Sequence, residues 1–383
     1  MDELGPIDLL LPDTSLGVSL LAALKKPKMG LQVLQVDASG KYGSEEGHCL
    51  AQSGTIIDKW PVVFYARGPM AQLLLDLSLT DYLEFGALAR ISLWPSKLSL
   101  LPVPVSKEQV MLEPLLTLPE KRRLFSVMKA LTQDPELGDG LLGEWLQQKG
   151  IQDNDRLFQL LLYAALQCPD IRSAHKMTIS LARETLKCHR QSVEHLSTGS
   201  PFVFALWGMG SELAQAACRR AALNGVIQMM DRDLIEAAMR GNVKRVLGKN
   251  ETGRLVNRWT FLSNEPLIPG SDTELFCIPP QCELNPSESS INILQLASST
   301  RYCPPGKFLI VVWSLDAGVK RVLDENITNC ILIDYSQCRE ISYQATDASM
   351  HPNTEGFTNF PLLPANYTCE LEFINKIIKE ASH

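Results

Sequence analysis

No stretch of this sequence is long and apolar enough to cross a bilayer. The longest nearly apolar run, Leu157 to Cys168, is broken by Gln159 and Gln167 and falls short of the roughly 20 residues that a spanning helix needs. Positive charge is also scarce: 36 Lys and Arg stand against 43 Asp and Glu, for a net charge of −7. That excludes a generally basic nucleic-acid binder, which needs a positive footprint; a local basic patch stays open. The ten cysteines include no Cys-x-x-Cys pair and do not cluster with histidine, so metal-site spacing is missing. They read as free thiols, small apolar core residues in a reducing compartment. The chain begins Met-Asp-Glu-Leu-Gly, acidic where a signal peptide carries positive charge. Together these features predict a cytoplasmic protein. The glycosylation-type triplets at Asn250, Asn326 and Asn366 are then chance matches. No nucleophile–base pair or paired-carboxylate constellation stands out among the six histidines and their acidic neighbours, and there is no internal repeat.

What is present is an ordinary soluble composition, 45% apolar and 21% charged over 383 residues, enough for two to three domains. The first 37 residues read as a βαβ unit. Ile7 to Leu11 has strand character, Asp13, Thr14 and Ser15 are helix-capping types, Val18 to Leu24 continues as an apolar helix, and Leu31 to Val36 alternates as a second strand ending at Asp37. This is the minimal dinucleotide-binding architecture, but its phosphate chemistry is missing. A Gly-x-Gly-x-x-Gly turn lets the backbone approach a pyrophosphate and offer N–H groups to it. Here Pro12 has no N–H to give, Asp13 adds negative charge, and only Gly17 survives. Asp37 stands where a ribose-binding acid would. The topology is that of a flavoprotein and the site is not, so no FAD or NAD is expected.

Prolines 61, 69, 95, 102 and 104 punctuate a Leu-rich stretch of mixed strand and helix pieces, the last two marking a crossing between domains. Residues 106 to 200 change character. A capping pattern at Ser106, Pro119 in a first helical turn, and helical patterns at Leu141–Lys149, Asn154–Gln167 and Ser173–His195 predict an all-helical insert. Apolar residues on every face of 157–166 predict that this helix is buried, with Met128, Leu131, Met177, Ile179, Leu181 and Leu186 as candidates to surround it. Strands return at Phe202–Leu206, Leu275–Ile278, Ile291–Leu296 and Phe308–Trp313, with a loop after Ile278 as far as 290 and a last helix near Glu370 to Glu380. The predicted architecture is a split α/β (α+β) Rossmann-type domain, 1–105 plus 201–383, with a degenerate nucleotide site and an inserted helical domain, 106–200.

Several stretches now resemble the Rab escort protein and Rab GDP-dissociation-inhibitor superfamily. They are Val33-Leu-Gln-Val-Asp-Ala-Ser-Gly-Lys-Tyr-Gly; Tyr65-Ala-Arg-Gly-Pro-Met with Tyr82-Leu-Glu-Phe and Glu120-Lys-Arg-Arg beyond; Gly208-Met-Gly-Ser-Glu-Leu-Ala-Gln-Ala-Ala-Cys-Arg-Arg; and Leu296-Ala-Ser-Ser-Thr with Gly306-Lys-Phe-Leu. The resemblance implies the fold of FAD-dependent oxidases put to protein binding. Ser211 before Glu212 is similar to fungal escort proteins. By resemblance, Tyr42, Glu212, Arg219 and Met229 fall on the family's Rab-binding platform, while Lys41, Ser44, Ala214 and Ile227 depart from its pattern. The spacing of seven puts Glu212 and Arg219 two turns apart on one helix face; the plain alternative is a solvated face with an internal ion pair.

The implied function is that of a non-catalytic accessory factor. It would bind GDP-form Rab GTPases, present them to the geranylgeranyltransferase, shelter the geranylgeranyl lipid in the helical domain, and touch membranes transiently in vesicle transport. A Rab GDP-dissociation inhibitor is the alternative of the same fold. A flavin-dependent oxidoreductase is the alternative of a different class.

Overall fold

The computed structural model describes residues 6–11, 13–24, 32–37, 40, 42–43, 48–50, 56–58, 63–134, 137–206, 212–230, 243–320, 322–323 and 330–347. Pro12, Lys41, Ser44, Ser211 and the helix expected near Glu370 to Glu380 lie outside them.

The chain opens with β1 (Ile7–Leu11), α1 (Leu16–Leu24) and β2 (Val33–Val36). β1 and β2 pair in parallel, Leu9 opposite Val33 and Leu10 opposite Leu34, so the βαβ unit forms as its pattern predicts. Short strands β3 (His48–Leu50), β4 (Ile56–Asp58) and β5 (Val63–Tyr65) follow. Next come α2 (Pro69–Asp76), a 3₁₀ turn at Thr80–Tyr82, and strands β6 (Phe85–Ala87), β7 (Arg90–Ser96) and β8 (Ser99–Pro102).

From Lys107 to Leu196 the regular structure is helical: α3 (Lys107–Leu112), α4 (Leu118–Gln133), α5 (Leu142–Gln148), α6 (Arg156–Gln159), a π-helical segment (Leu160–Ala165), α7 (Ile171–Lys176) and α8 (Ile179–Leu196). The starts follow from capping chemistry. Ser106 accepts from the Gln109 N–H, and Thr117 with Glu120 forms a reciprocal capping box at α4. Two expectations need correction. The pattern over Ser173–His195 predicts one helix, but Thr178 turns extended and caps Leu181, which ends α7 and starts α8. The run over Asn154–Gln167 is no plain α-helix either. It widens to a π-helix at Leu160, with Leu166 N–H bonding Leu161 C=O at 2.9 Å, and stops at Gln167 in the left-handed region. Its burial is as predicted: Leu157, Phe158 and every residue from Leu160 to Leu166 are buried.

Beyond it lie β9 (Phe202–Ala205), α9 (Glu212–Leu223), β10 (Ile227–Met229), β11 (Val243–Ser263), β12 (Thr273–Ile278), β13 (Ile291–Ala297), β14 (Phe308–Ser314) and β15 (Cys330–Asp347). The expected strands at 202, 275, 291 and 308 are there, and the loop begins at Pro279. β11 and β15 carry no clear signal in sequence, because Gly-Lys-Asn-Glu-Thr-Gly at 248–253 reads as a turn. It lies instead within β11, where the pairing with β15 shifts register between Glu251 and Leu255.

Among the described residues the main sheet runs β10-β2-β1-β11-β14-β13-β12-β7-β8, with β15 also on β11. Strands from before and after the helical run therefore share one sheet. A smaller sheet, β5-β9-β6, lies apart from it. The architecture is mixed α/β, as expected. α1 is buried from Leu16 to Ala23 and packs against α9, where the small residues Ala214, Ala217 and Ala221 are buried.

Candidate functional site

The turn between β1 and α1 is where this architecture would hold a dinucleotide. Helix N-terminal N–H groups are orphan donors that favour anions. Here the turn that leads into the helix is bonded to the chain's own carboxylates. Asp37 Oδ2 accepts from the Thr14 N–H at 3.0 Å and from the Thr14 hydroxyl. Asp13 Oδ1 accepts from Ser15 N–H at 2.8 Å and Ser15 Oγ at 2.6 Å. Asp13, Thr14, Ser15 and Asp37 are all buried. A pyrophosphate brought here would displace these bonds and meet two carboxylates. The residues present do not fit FAD or NAD. Asp37, placed by the sequence where a ribose-binding acid would stand, holds the turn closed.

The same closure fixes two of the predicted platform residues. Thr14 Oγ1 accepts from Gly43 N–H at 3.0 Å, and Gly43 sits at φ +88°, a conformation suited to glycine. That holds the preceding residue, Tyr42, at the surface, 38% exposed. On the other side Asp37 N–H bonds Met229 C=O at 2.8 Å, at the end of β10, where Met229 pairs with Val36 and is half-buried. Tyr42 and Met229 thus hang from one Thr14–Asp37 hub.

Glu212 and Arg219 lie on α9, which is tied to that hub. Gln228 Nε2 bonds Gln35 Oε1 at 3.0 Å and Cys218 C=O at 2.9 Å, and Ser19 Oγ lies 3.1 Å from Cys218 Sγ. Burial pushes the Cys218 thiol up to about 12, so it stays protonated and serves as packing. Glu212 opens the helix half-buried, and that burial raises its carboxyl above the usual range. Seven residues separate Glu212 and Arg219 by about 10 Å along the axis, too far for an internal ion pair. Arg219 is exposed and its guanidinium stacks over the Tyr82 ring, 4.4 Å from the centroid. Tyr82 opens the Tyr82-Leu-Glu-Phe stretch but is not among the site residues that the sequence predicts. Among the departures, Ala214 is buried and faces no partner, and Ile227 is half-buried opposite Leu34.

The helical run holds a second feature, a cavity of about 400 Å³ between α4, α8 and the π-helix. Leu124, Phe125, Met128, Leu161, Ala165 and Leu186 line it, and His189 forms part of its wall. Of the residues expected around the 157–166 segment, Met128 and Leu186 line this cavity together with Leu160, Leu161 and Ala165 of that segment. His189 is buried, its Nδ1 has no hydrogen-bond partner among the described residues, and burial pushes it down to about 4, so at neutral pH it is uncharged. Among the described residues no three His, Cys, Asp or Glu side chains gather as a metal site, and no helix is long and apolar enough to cross a membrane.

Fold and site together define a Rossmann-type α/β protein with a helical run and a nucleotide turn closed by its own carboxylates. Its architecture is shared with a solved Rab GDI from Plasmodium falciparum, at TM-score 0.71 and 17% identity, covering 98% of this chain and 97% of that one. No family model matches the chain. In sequence it is 24% identical over 339 residues to guanosine nucleotide diphosphate dissociation inhibitor 1 of Arabidopsis thaliana, covering 75% of each. It is 32% identical over 194 residues to Rab proteins geranylgeranyltransferase component A 1 of Caenorhabditis elegans, which is 46% of this chain and 36% of that protein. The chain thus spans three quarters of the plant protein's length and about a third of the worm protein's. It is similar in sequence both to a guanosine nucleotide diphosphate dissociation inhibitor and to a Rab geranylgeranyltransferase component A protein.

Proposed function

We propose that this chain is a Rab escort protein: it binds unprenylated, GDP-loaded Rab GTPases, presents them to the geranylgeranyltransferase and delivers the product to membranes. The observation that carries the reading is the Thr14–Asp37 closure. It takes the nucleotide turn out of cofactor chemistry and anchors the Tyr42 turn and the end of β10; in this reading Arg219 and Glu212 on α9 complete the Rab-binding face. Such a face offers aromatic, apolar and both kinds of charged contact, the composition that anchors protein interfaces. Opposite charges across such a contact set register and encounter rate. The proposed role is accessory, with the reacting groups supplied by the transferase, and cytoplasmic with transient membrane contact.

Residues 106–200 form the second unit in this reading, around which 1–105 and 201–383 make the Rab-binding unit. The cavity is of the size class that takes small ligands, and its apolar lining suits the geranylgeranyl chain. Burial contributes roughly 0.8 kcal/mol per methylene, so sheltering about 20 carbons competes with a membrane. His189 in the cavity wall is uncharged at neutral pH, while the charged Lys107 and Arg190 also line the cavity.

The worm component A identity, higher over its span than that of the plant inhibitor, supports escort over inhibitor. The inhibitor reading is favoured by the plant protein's longer match, three quarters of both chains. Calorimetry with an unprenylated, GDP-loaded Rab tests the choice. An escort protein binds it tightly, whereas an inhibitor binds well only after the Rab carries its lipid. A flavin absorption spectrum in the purified protein would remove both readings.

A further inference from the structure

The guanidinium of Arg219 and the ring of Tyr82 come from elements 137 residues apart in sequence, and each is fixed independently. α9 is packed on α1, with Cys218, the residue before Arg219, buried. Tyr82 closes the 3₁₀ turn at Thr80–Tyr82. Its N–H bonds Leu79 C=O at 3.1 Å, and Leu79 is fully buried. Two residues on, Glu84 C=O takes the Leu206 N–H at 2.8 Å, and Phe85 meets Phe64 edge-on at 6.1 Å. The turn is therefore anchored on both sides, and Tyr82, itself 36% exposed, is a fixed shelf beneath a surface cation.

A free arginine samples many rotamers, and ordering it on binding costs entropy. Stacking on an aromatic face removes much of that freedom beforehand and uses the guanidinium's face. The N–H edge is left to fork onto an acceptor outside. We infer that Tyr82 is a positioning residue of the platform, holding Arg219 in its binding orientation so that the partner meets a pre-ordered cation. This rests on the reading of Arg219 as a Rab-contacting residue. It assigns Tyr82 a role through Arg219 and no contact with the partner of its own.

The test is calorimetry of the full chain with unprenylated, GDP-loaded Rab, for Tyr82→Ala, Tyr82→Phe, Arg219→Ala, Arg219→Glu and the double variant Tyr82→Ala/Arg219→Ala. Thermal unfolding is measured alongside. Tyr82→Ala is expected to weaken binding about tenfold, with a more unfavourable binding entropy and an unchanged melting temperature. Tyr82→Phe keeps the stack and should bind like the parent. The double variant should bind no worse than Arg219→Ala, because the shelf has nothing left to hold. Two results would overturn the inference while the platform stands: Arg219→Glu weakens binding but Tyr82→Ala does not, or the two alanine losses add. Equal losses in Tyr82→Phe and Tyr82→Ala would overturn it too, by assigning the effect to the hydroxyl. If Arg219→Glu itself binds normally, the platform reading fails and this inference with it.

Discussion

Asp37 holds Thr14 across 23 residues of sequence, accepting from its backbone N–H at 3.0 Å and from its hydroxyl with the same carboxylate oxygen. Both residues are buried. Thr14 Oγ1 in turn takes the Gly43 N–H, and Asp37 N–H is bonded to Met229 C=O. The side-chain pair thereby joins the end of β2 to the start of α1 and the Tyr42 turn, and the Asp37 main chain adds the end of β10.

Removing the carboxylate should therefore cost stability and binding together. Asp37→Ala removes the acceptor that two buried Thr14 donors share, at about 1–3 kcal/mol for each such group. Chemical denaturation should show a loss of about 3 kcal/mol, and Rab affinity should fall because the Thr14 hydroxyl that takes the Gly43 N–H beside Tyr42 loses its own anchor. Asp37→Asn keeps an acceptor oxygen and should lose about half as much. A denaturation midpoint unchanged in Asp37→Ala would mean that the pair holds nothing.

His189 predicts an acid-sensitive core. Burial lowers its folded-state value to about 4, below the ordinary 6.5, so between those values the unfolded chain binds the extra proton. Stability is then fully present above about pH 6.5 and is lost as pH falls toward 4, by up to about 3 kcal/mol. Urea unfolding at a series of pH values measures this. His189→Leu should flatten the dependence in that window; a profile as steep as the parent's would place the acid sensitivity elsewhere.

The cavity can be filled without touching the platform. Ala165 is buried in its wall, and Ala165→Phe should occupy part of the 400 Å³ at an overpacking cost of about 1–3 kcal/mol. Affinity for a geranylgeranylated Rab should fall at least tenfold while affinity for the unprenylated Rab holds. Equal losses for both would show that the cavity does not take the lipid.

Legibility in the sequence followed how local the signal was. β1, α1 and β2 announce themselves through short apolar runs and capping residues, and the helical run does so through Ser106 and the Thr117–Glu120 box. The buried character of 157–166 was plain from apolar residues on every face. Its π-helical form was not, because the choice of hydrogen-bond ladder depends on packing around Leu160–Ala165. β11 and β15 were hidden because their pairing is long-range and their middle is polar. At the site, Pro12 and Asp13 are visible as wrong for a phosphate and Asp37 as standing where a ribose-binding acid would, but nothing local tells that Asp37 reaches Thr14. Arg219 and Tyr82 both lie in the family-like motifs, and their contact exists only after α9 and the 3₁₀ turn are brought together.

The most direct measurement is geranylgeranylation of a GDP-loaded Rab by purified transferase, with and without this protein. The escort reading predicts that Rab is modified only when the protein is present and that Arg219→Glu lowers the rate at limiting concentrations. If the protein extracts prenylated Rab from membranes but never supports its prenylation, the escort reading is wrong and the inhibitor reading replaces it.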